Sequence, residues 1–526
     1  MLKRTAHTAI AGALVLGAVA ANGIAVAADR GDSAVVRTDK GEVRGTVTGA
    51  VRVFQGIPYA APPVGERRWA PTAPAKRWRG VRDATRPGSA CPQTGLTPPV
   101  GHESADEDCL FVNVTTPRTA SGGRRPVMVY LHGGDHTDGD GAMHGAQRLA
   151  AQGDVVVVTL NYRLAALGYL AHPELEKRGE SGNYGFLDQQ AALRWVRRNA
   201  AAFGGDPGNV TLFGQSAGGY STCAHMVAPS SAGLFDRVIL QSAPCTATMG
   251  RRSREDALAE GVAAAAAIEK EHGLDDWRTA SAQQLVNPFG AGPEYTPVYG
   301  GELLPRTPQA AFAEGRFNKV PVLQGINRYE ERGRVYGMEL AKKAATGDPD
   351  AQIDRTDYRV ALEEQFGADR APAIAAAYPV SAYDDSPALA LAAALTDGNW
   401  ARHSLDSGRA LARHVRTYTY EFADSTVPWY SDPNYLKPGF EVGAAHTFEL
   451  PYLFELDAYE SLTPAQQALS AKMIRIWTDF ARTGRADWKL TTPQAPNAQA
   501  LAGGPGGIHP VDFAKDHHED FWKSLR

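Results

Sequence analysis

Short, continuously apolar runs along this chain alternate with longer stretches whose apolar residues recur every three or four positions. Pro126–Leu131, Asp154–Leu160, Val210–Phe213, Val238–Gln241 and Val320–Leu323 read as strands. A strand that is apolar on both pleat faces is covered on both sides, which is the setting of a parallel sheet between helical layers. Between Thr463-Pro464, an N-cap with proline in the first turn, and Gly484, Leu469, Met473, Ile476 and Phe480 recur at helical spacing and predict a core-facing helix. The alanine-rich run Glu255–Glu271 predicts a covering helix. The fold class expected is α/β, with a mostly parallel central sheet covered by helices on both faces.

The first segment has a different pattern. Lys3, Arg4 and His7 precede the apolar run Ala9–Ala21, and Ala25-Val26-Ala27 offers a small-residue cleavage site. This predicts a signal peptide over residues 1–27, a mature chain starting near Ala28, and a secreted protein. The run is too short to span a bilayer, and no later segment is long enough to do so, so stable membrane insertion is not expected. The Pro/Gly/Ala-rich stretch Thr492–Gly507 lies near the end and divides nothing, so residues 28–526 read as a single domain. With 54 Lys and Arg against 58 Asp and Glu the chain has a formal charge of −4, which argues against nucleic acid as a partner.

Candidate chemistry begins at Gly214-Gln215-Ser216-Ala217-Gly218, directly after the Val210–Phe213 run. A strand that breaks through Gly-x-Ser-x-Gly into a helix forces its serine onto a sharp turn, with the hydroxyl open to a carbonyl carbon and to a proton acceptor. That arrangement serves covalent acyl transfer. The pentapeptide alone is common, and its surroundings give it weight. They include His132-Gly133-Gly134-Asp135, Asn161-Tyr162-Arg163-Leu164, Gly182–Gln189 and Phe203-Gly204-Gly205-Asp206-Pro207. Phe54–Ala60 and Glu107–Val114 precede these, and Phe521-Trp522 closes the series. With these motifs in this order, the chain resembles the type-B carboxylesterase and cholinesterase-like family of α/β-hydrolases over nearly all of its mature length.

The resemblance implies a catalytic triad in the order nucleophile, acid, histidine: Ser216, Glu330 and His446. The acid follows Gly325 by five residues. Glu331 stands where the family has glycine, which leaves Glu331 as the less favoured alternative to Glu330. Surface glutamates are the ordinary reading of the acidic-basic run Glu330–Arg334. His446 lies in Gly443–Tyr452, which is similar to the family's histidine loop. The implied oxyanion hole is made by the amides of Gly134, Asp135 and Ala217. Asp135 departs from the family's Gly/Ala, and its carboxylate sits where negative charge will develop. It can point into solvent, be held protonated, or select a substrate with a cationic group, in that order of preference. His136 replaces an aromatic residue and makes the pocket wall more polar.

The family also implies a disulfide between Cys91 and Cys109, worth about 3 kcal/mol in the chain-entropy account. Cys223 and Cys245 read equally well as a second pair or as buried thiols. His132, His136, Asp138, Asp140 and His144 are polar neighbours whose spacing fits no common metal motif, so no metal or other cofactor is expected. Asn113 and Asn209 begin formal glycosylation sequons but lie in or beside strands, where a structural role is expected. Arg163, Asp188 and Asp206 match structural family positions. The function expected is a secreted serine esterase that takes small ester substrates. A true lipase, a substrate preference redirected by Asp135, or a non-catalytic binding protein on the same fold are the alternatives.

Overall fold

The computed structural model describes residues 34–95, 102–119, 122–177, 179–247, 252–286 and 294–525; the predicted signal segment, 1–27, lies outside them. Among the described residues, eleven strands form one sheet. In chain order these are β1 (Thr46–Thr48), β2 (Val51–Pro58), β3 (Phe111–Pro117), β4 (Arg125–Leu131), β5 (Val156–Leu160), β6 (Gly205–Gln215), β7 (Arg237–Gln241), β8 (Val322–Asn327), β9 (Thr417–Phe422), β10 (Ala498–Leu501) and β11 (Ile508–Val511). Their spatial order is β1-β2-β3-β5-β4-β6-β7-β8-β9-β10-β11. Every pairing from β5 through β10 is parallel. The two margins are antiparallel.

The apolar runs serve two cores at once, because successive side chains of a strand leave on opposite faces. Val127, Val129 and Leu131 of β4 enter one core with Val156, Val158 and Leu160 of β5 and Leu212 of β6. Met128 and Tyr130 enter the other, with Val157 of β5, Phe213 of β6 and Ile239 of β7. This is the doubly covered α/β sheet that the pattern predicts.

Helices α1 (Tyr184–Asn199), α2 (Ala217–Val227), α3 (Arg254–His272), α4 (Arg332–Thr346), α5 (Pro387–Thr396), α6 (Arg402–Ala412) and α7 (Pro464–Thr483) include those that matter for the site. The Thr463 hydroxyl and the Gln466 side chain cap α7 reciprocally, and Gly484 ends it in the left-handed region. Its inward stripe is Leu469, Met473, Ile474, Trp477 and Phe480. Ile476, read as core from spacing alone, is only half-buried, because the large ring of Trp477 takes the central place. A third core, which includes Val335 of α4, Leu391 of α5 and Trp522, packs the C-terminal segment onto the α4–α5 region.

Both cysteine pairs are joined, Cys91 to Cys109 and Cys223 to Cys245. The second bond, left open by the sequence, ties α2 to the segment that follows β7. Asn113 is buried and hydrogen-bonded to Thr159 and to the Gly56 amide. Asn209 accepts from Arg237. Arg163 and Asp188 form a buried ion pair at 2.7 Å, and Asp206 caps a turn through the Gly208 amide.

Candidate active site

Ser216 stands between the end of β6 and the start of α2 with φ 52° and ψ −126°. A non-glycine residue in that conformation is strained, by about 1–3 kcal/mol. The turn is possible because its flanks are glycine. A Cβ on Gly214 would collide with the backbone of Gly218, and a Cβ on Gly218 would collide with the Leu131 carbonyl at the end of β4. The Ser216 amide donates to the Gln241 carbonyl of β7 at 2.9 Å, which fixes the turn to the sheet.

Glu330 follows β8, and one of its oxygens accepts from the Asn327 amide at 2.8 Å. The other lies 2.6 Å from Nδ1 of His446, which donates to it. The His446 amide also donates to the Glu330 carbonyl. The acid is fully buried, whereas the histidine side chain is 25% exposed. Burial disfavours the imidazolium, but the charge and hydrogen bond of Glu330 outweigh it, with smaller help from Glu449 and Asp135. The His446 pKa is raised to about 9. The Gln215 side-chain nitrogen lies 3.2 Å from Nε2, to which a neutral ring offers a lone pair.

Glu331 does not approach His446. One of its oxygens accepts from Trp400 Nε1 at 2.7 Å, and its amide donates to Thr396. Glu330 and Glu331 are 2% and 4% exposed, which corrects the ordinary surface reading of this run. Two glutamates adjacent in sequence face different partners because the turn after β8 sends their side chains apart.

The loop after β4 crosses against the serine turn, and a Cβ on Gly133 would press on Gln215 and Ser216. Gly134, Asp135 and His136 follow with φ of 104°, 53° and 58°, a run of left-handed residues that only glycine adopts without cost. The amides of Gly134, Asp135 and Ala217 have no hydrogen-bond acceptor among the described residues. Donors left open in this way can receive charge that develops on a substrate oxygen. The Asp135 side chain is exposed, which fits the first of the outcomes expected for it.

His136 is buried and hydrogen-bonded to Ser221 at 3.0 Å, and burial drives its pKa down to about 3, so the ring is neutral. The other polar neighbours are engaged separately, His132 on the Gly133 carbonyl and His144 on that of Asp140. Among the described residues, no group of three or more His, Cys, Asp or Glu side chains is set to hold a metal ion.

Ser216, Glu330, His446, Asp135 and Ala217 all line one cavity of about 1230 Å³. Sequence reasoning passed over three residues that support them. Gln215 is the variable position of the Gly-x-Ser-x-Gly motif itself. Glu449, in the quoted histidine loop, is buried, accepts from Gln241 and Asn327, and acts electrostatically on His446. Trp400 lies with its ring 4.9 Å from that of His446. It sits in a π-helical turn, Asp397–Ala401, between α5 and α6. No local sequence signal marks that turn.

A sequence model described as the carboxylesterase family matches residues 32–503. The chain is 36% identical over 473 residues to a para-nitrobenzyl esterase of Bacillus subtilis, covering 86% of this chain and 90% of that protein. It is 35% identical over 511 residues to a fumonisin B1 esterase of Sphingopyxis macrogoltabida, covering 91% and 87%. Among solved structures, one described as a thermophilic PNB esterase superposes with a TM-score of 0.73 at 30% identity, covering 93% of this chain and 99% of that one.

Proposed function

The chain belongs to the carboxylesterase family and is a carboxylic ester hydrolase, and from that premise we propose that it works through an acyl-enzyme on Ser216. The observation that carries this reading is the 2.6 Å contact between Glu330 and His446 Nδ1, in a cavity shared with the strained Ser216. With Nδ1 committed to the carboxylate, Nε2 is the nitrogen left to take the serine proton.

The reaction runs in two halves. The Ser216 oxygen attacks the ester carbonyl carbon as its proton passes to His446 Nε2. The carbonyl oxygen becomes an oxyanion, which the amides of Gly134, Asp135 and Ala217 receive. When the tetrahedral intermediate collapses, the C–O bond to the alcohol breaks and His446 returns the proton to the departing alkoxide. A water molecule then attacks the acyl-serine, giving its proton to His446, and the carboxylic acid leaves as Ser216 is restored. Glu330 holds the ring orientation and balances the imidazolium in both halves.

Export of the mature chain as a single domain completes the reading. It is supported by the leader-like pattern of residues 1–27, by the two disulfides, and by motifs that run on to Trp522. No helix among the described residues is long and apolar enough to cross a membrane.

Hydrolysis of p-nitrophenyl acetate and butyrate by wild type and Ser216→Ala tests the mechanism. Wild-type turnover that falls by about 10⁴-fold or more in the variant is expected. Equal turnover by both proteins overturns the assignment of Ser216.

A further inference from the structure

The loop that carries Asp135 is held by a side chain that takes no part in the proton transfers. His136 follows Asp135 directly, and both have a positive φ, 53° and 58°. Two non-glycine residues in succession rarely keep that conformation without anchors. The His136 carbonyl accepts from the Ala165 amide at 2.7 Å, and Nε2 of its ring lies 3.0 Å from the Ser221 hydroxyl. The Tyr169 ring packs 4.8 Å from the His136 ring. His136 and Ser221 are both buried.

Ser221 stands four residues after Ala217 on α2, so the two share a helix face. The Ala217 carbonyl also acts on the His136 ring as an acceptor, together with that of Tyr295. The ring therefore rests on the turn of α2 that begins with the Ala217 amide. Of the three amides assigned to the oxyanion, two belong to the loop and one to this helix. His136 joins the two pieces.

Behind Ser221, a chain of buried hydrogen bonds has a single direction. Oε1 of Gln189 can only accept, so Nε2 of His225, 3.2 Å away, carries the hydrogen. Nδ1 of His225 then accepts from the Ser231 hydroxyl at 2.9 Å, and burial lowers the pKa of this ring to about 3, keeping it neutral. The Gln189 nitrogen donates to Ser221 Oγ at 3.1 Å. That leaves the Ser221 hydrogen for Nε2 of His136, whose own hydrogen is on Nδ1. Such a network is stable only when every member is satisfied. A hydrocarbon ring at position 136 would fill the space and leave Ser221 without its acceptor.

We propose that His136 is a positioning residue for the oxyanion hole: by binding Ser221 it sets the spacing between the Asp135 amide on the loop and the Ala217 amide on the helix. This rests on the reading of Ser216 as nucleophile and of these amides as receivers of the oxyanion. The contact exists before substrate arrives, so the donors need no rearrangement when charge develops. Its effect falls on the transition state and not on ground-state binding.

The test measures p-nitrophenyl butyrate hydrolysis per folded molecule by wild type, His136→Phe, His136→Gln, Ser221→Ala and the double variant His136→Phe, Ser221→Ala. His136→Phe should lower kcat by about 10- to 100-fold with KM within about threefold, since both half-reactions pass through an oxyanion. Ser221→Ala should cost a similar factor, and the double variant should be no worse than the poorer single, because both remove one contact. His136→Gln, whose terminal amide can still meet Ser221, should recover part of the loss. An alkyl trifluoromethyl ketone, whose hemiketal with Ser216 places an oxyanion in the hole, should bind His136→Phe more weakly by the factor that kcat loses.

A kcat within about twofold of wild type in both His136→Phe and Ser221→Ala overturns the proposal. So does a fall in kcat that leaves the trifluoromethyl ketone affinity unmoved, or losses that multiply in the double variant. Should His136→Phe fail to fold, the same criteria of kcat, KM and ketone affinity are applied to Ser221→Ala, which removes a single hydroxyl. Wild type that hydrolyses no ester and binds no trifluoromethyl ketone points instead to failure of the Ser216 reading.

Discussion

Two histidines in this protein sit against buried carboxylates, and their settings suit opposite roles. His446 has Glu330 on Nδ1 at 2.6 Å and Gln215, an uncharged amide, beside Nε2 at 3.2 Å. His517 has Asp397 on Nδ1 at 2.5 Å and Glu421 on Nε2 at 2.7 Å. Burial opposes charge on both rings, and the carboxylates overcome it, raising the pKa to about 9 at His446 and about 10 at His517. The side chain of His446 is 25% exposed to the cavity and that of His517 only 5%. A ring with a carboxylate on each nitrogen is a fixed cation and cannot take a proton from anything else. One carboxylate and one open nitrogen make a base. His517 accordingly braces the fold, joining the C-terminal segment to β9 and to the π-helical turn that carries Trp400.

The comparison breaks most sharply if the roles are exchanged by mutation. His446→Gln should lower kcat/KM for p-nitrophenyl butyrate by about 10⁴-fold or more. Glu330→Gln should also cost several orders of magnitude, because it removes the group that balances the imidazolium. His517→Gln should leave the activity of the folded fraction within about tenfold of wild type, yet destabilise the protein by about 3–5 kcal/mol, since Asp397 and Glu421 lose their partner. Chemical denaturation together with active-site titration separates the two effects. A His517 variant as inactive as the His446 variant while fully folded would end the distinction.

The brace also has a pH signature. The folded pKa of His517 lies above its unfolded value near 6.5, so its contribution is complete below that value and is lost as pH rises through about 10. Burial raises the Glu421 pKa, but the His517 contact and Arg328 more than offset this and hold it low. Its contribution is present above the ordinary glutamate range and fades as pH falls below it. Stability from this cluster is therefore greatest in mildly acidic solution, and the drop toward alkaline pH should be missing in His517→Gln. Next in size is the Cys223–Cys245 bond, whose loss in a Cys223→Ser, Cys245→Ser double variant should cost about 3 kcal/mol, read by the same denaturation experiment.

These two histidines also mark what the sequence made legible. His446 lies in a loop whose pattern is recognisable, after a strand and serine turn that announce themselves through apolar runs and glycines. The acid proposed for it, Glu330, is implied by the family resemblance, five residues after Gly325. His517 carried no such signal, because its partners are 96 and 120 residues away and meet it only through the sheet and the π-helical turn. The burial of Glu331 has no local signal either, as its partner Trp400 is 69 residues distant. Local patterning reaches strands, caps and sharp turns. Contacts set by tertiary closure become visible only when separate segments are brought together.

The smallest expected effect concerns Asp135, the carboxylate that departs from the family in the implied oxyanion hole. Asp135 is exposed, yet its charge adds to those of Glu330 and Glu449 in holding the His446 proton. Because only the neutral ring can accept the serine proton, kcat/KM should rise with pH through neutrality until the ring is deprotonated near pH 9. Removing the Asp135 charge should move that rise to lower pH. Asp135→Asn should therefore shift the acidic limb downward by a fraction of a pH unit and make the enzyme faster than wild type near pH 7. It should also relieve repulsion of the oxyanion, on the order of 1 kcal/mol for a solvent-exposed charge at ~4 Å. Both effects act in the same direction at neutral pH, and added salt should weaken both. An Asn variant with an unmoved limb and an unchanged rate would mean that solvent fully screens Asp135 from His446, and that the family's glycine or alanine was replaced here without electrostatic consequence for catalysis.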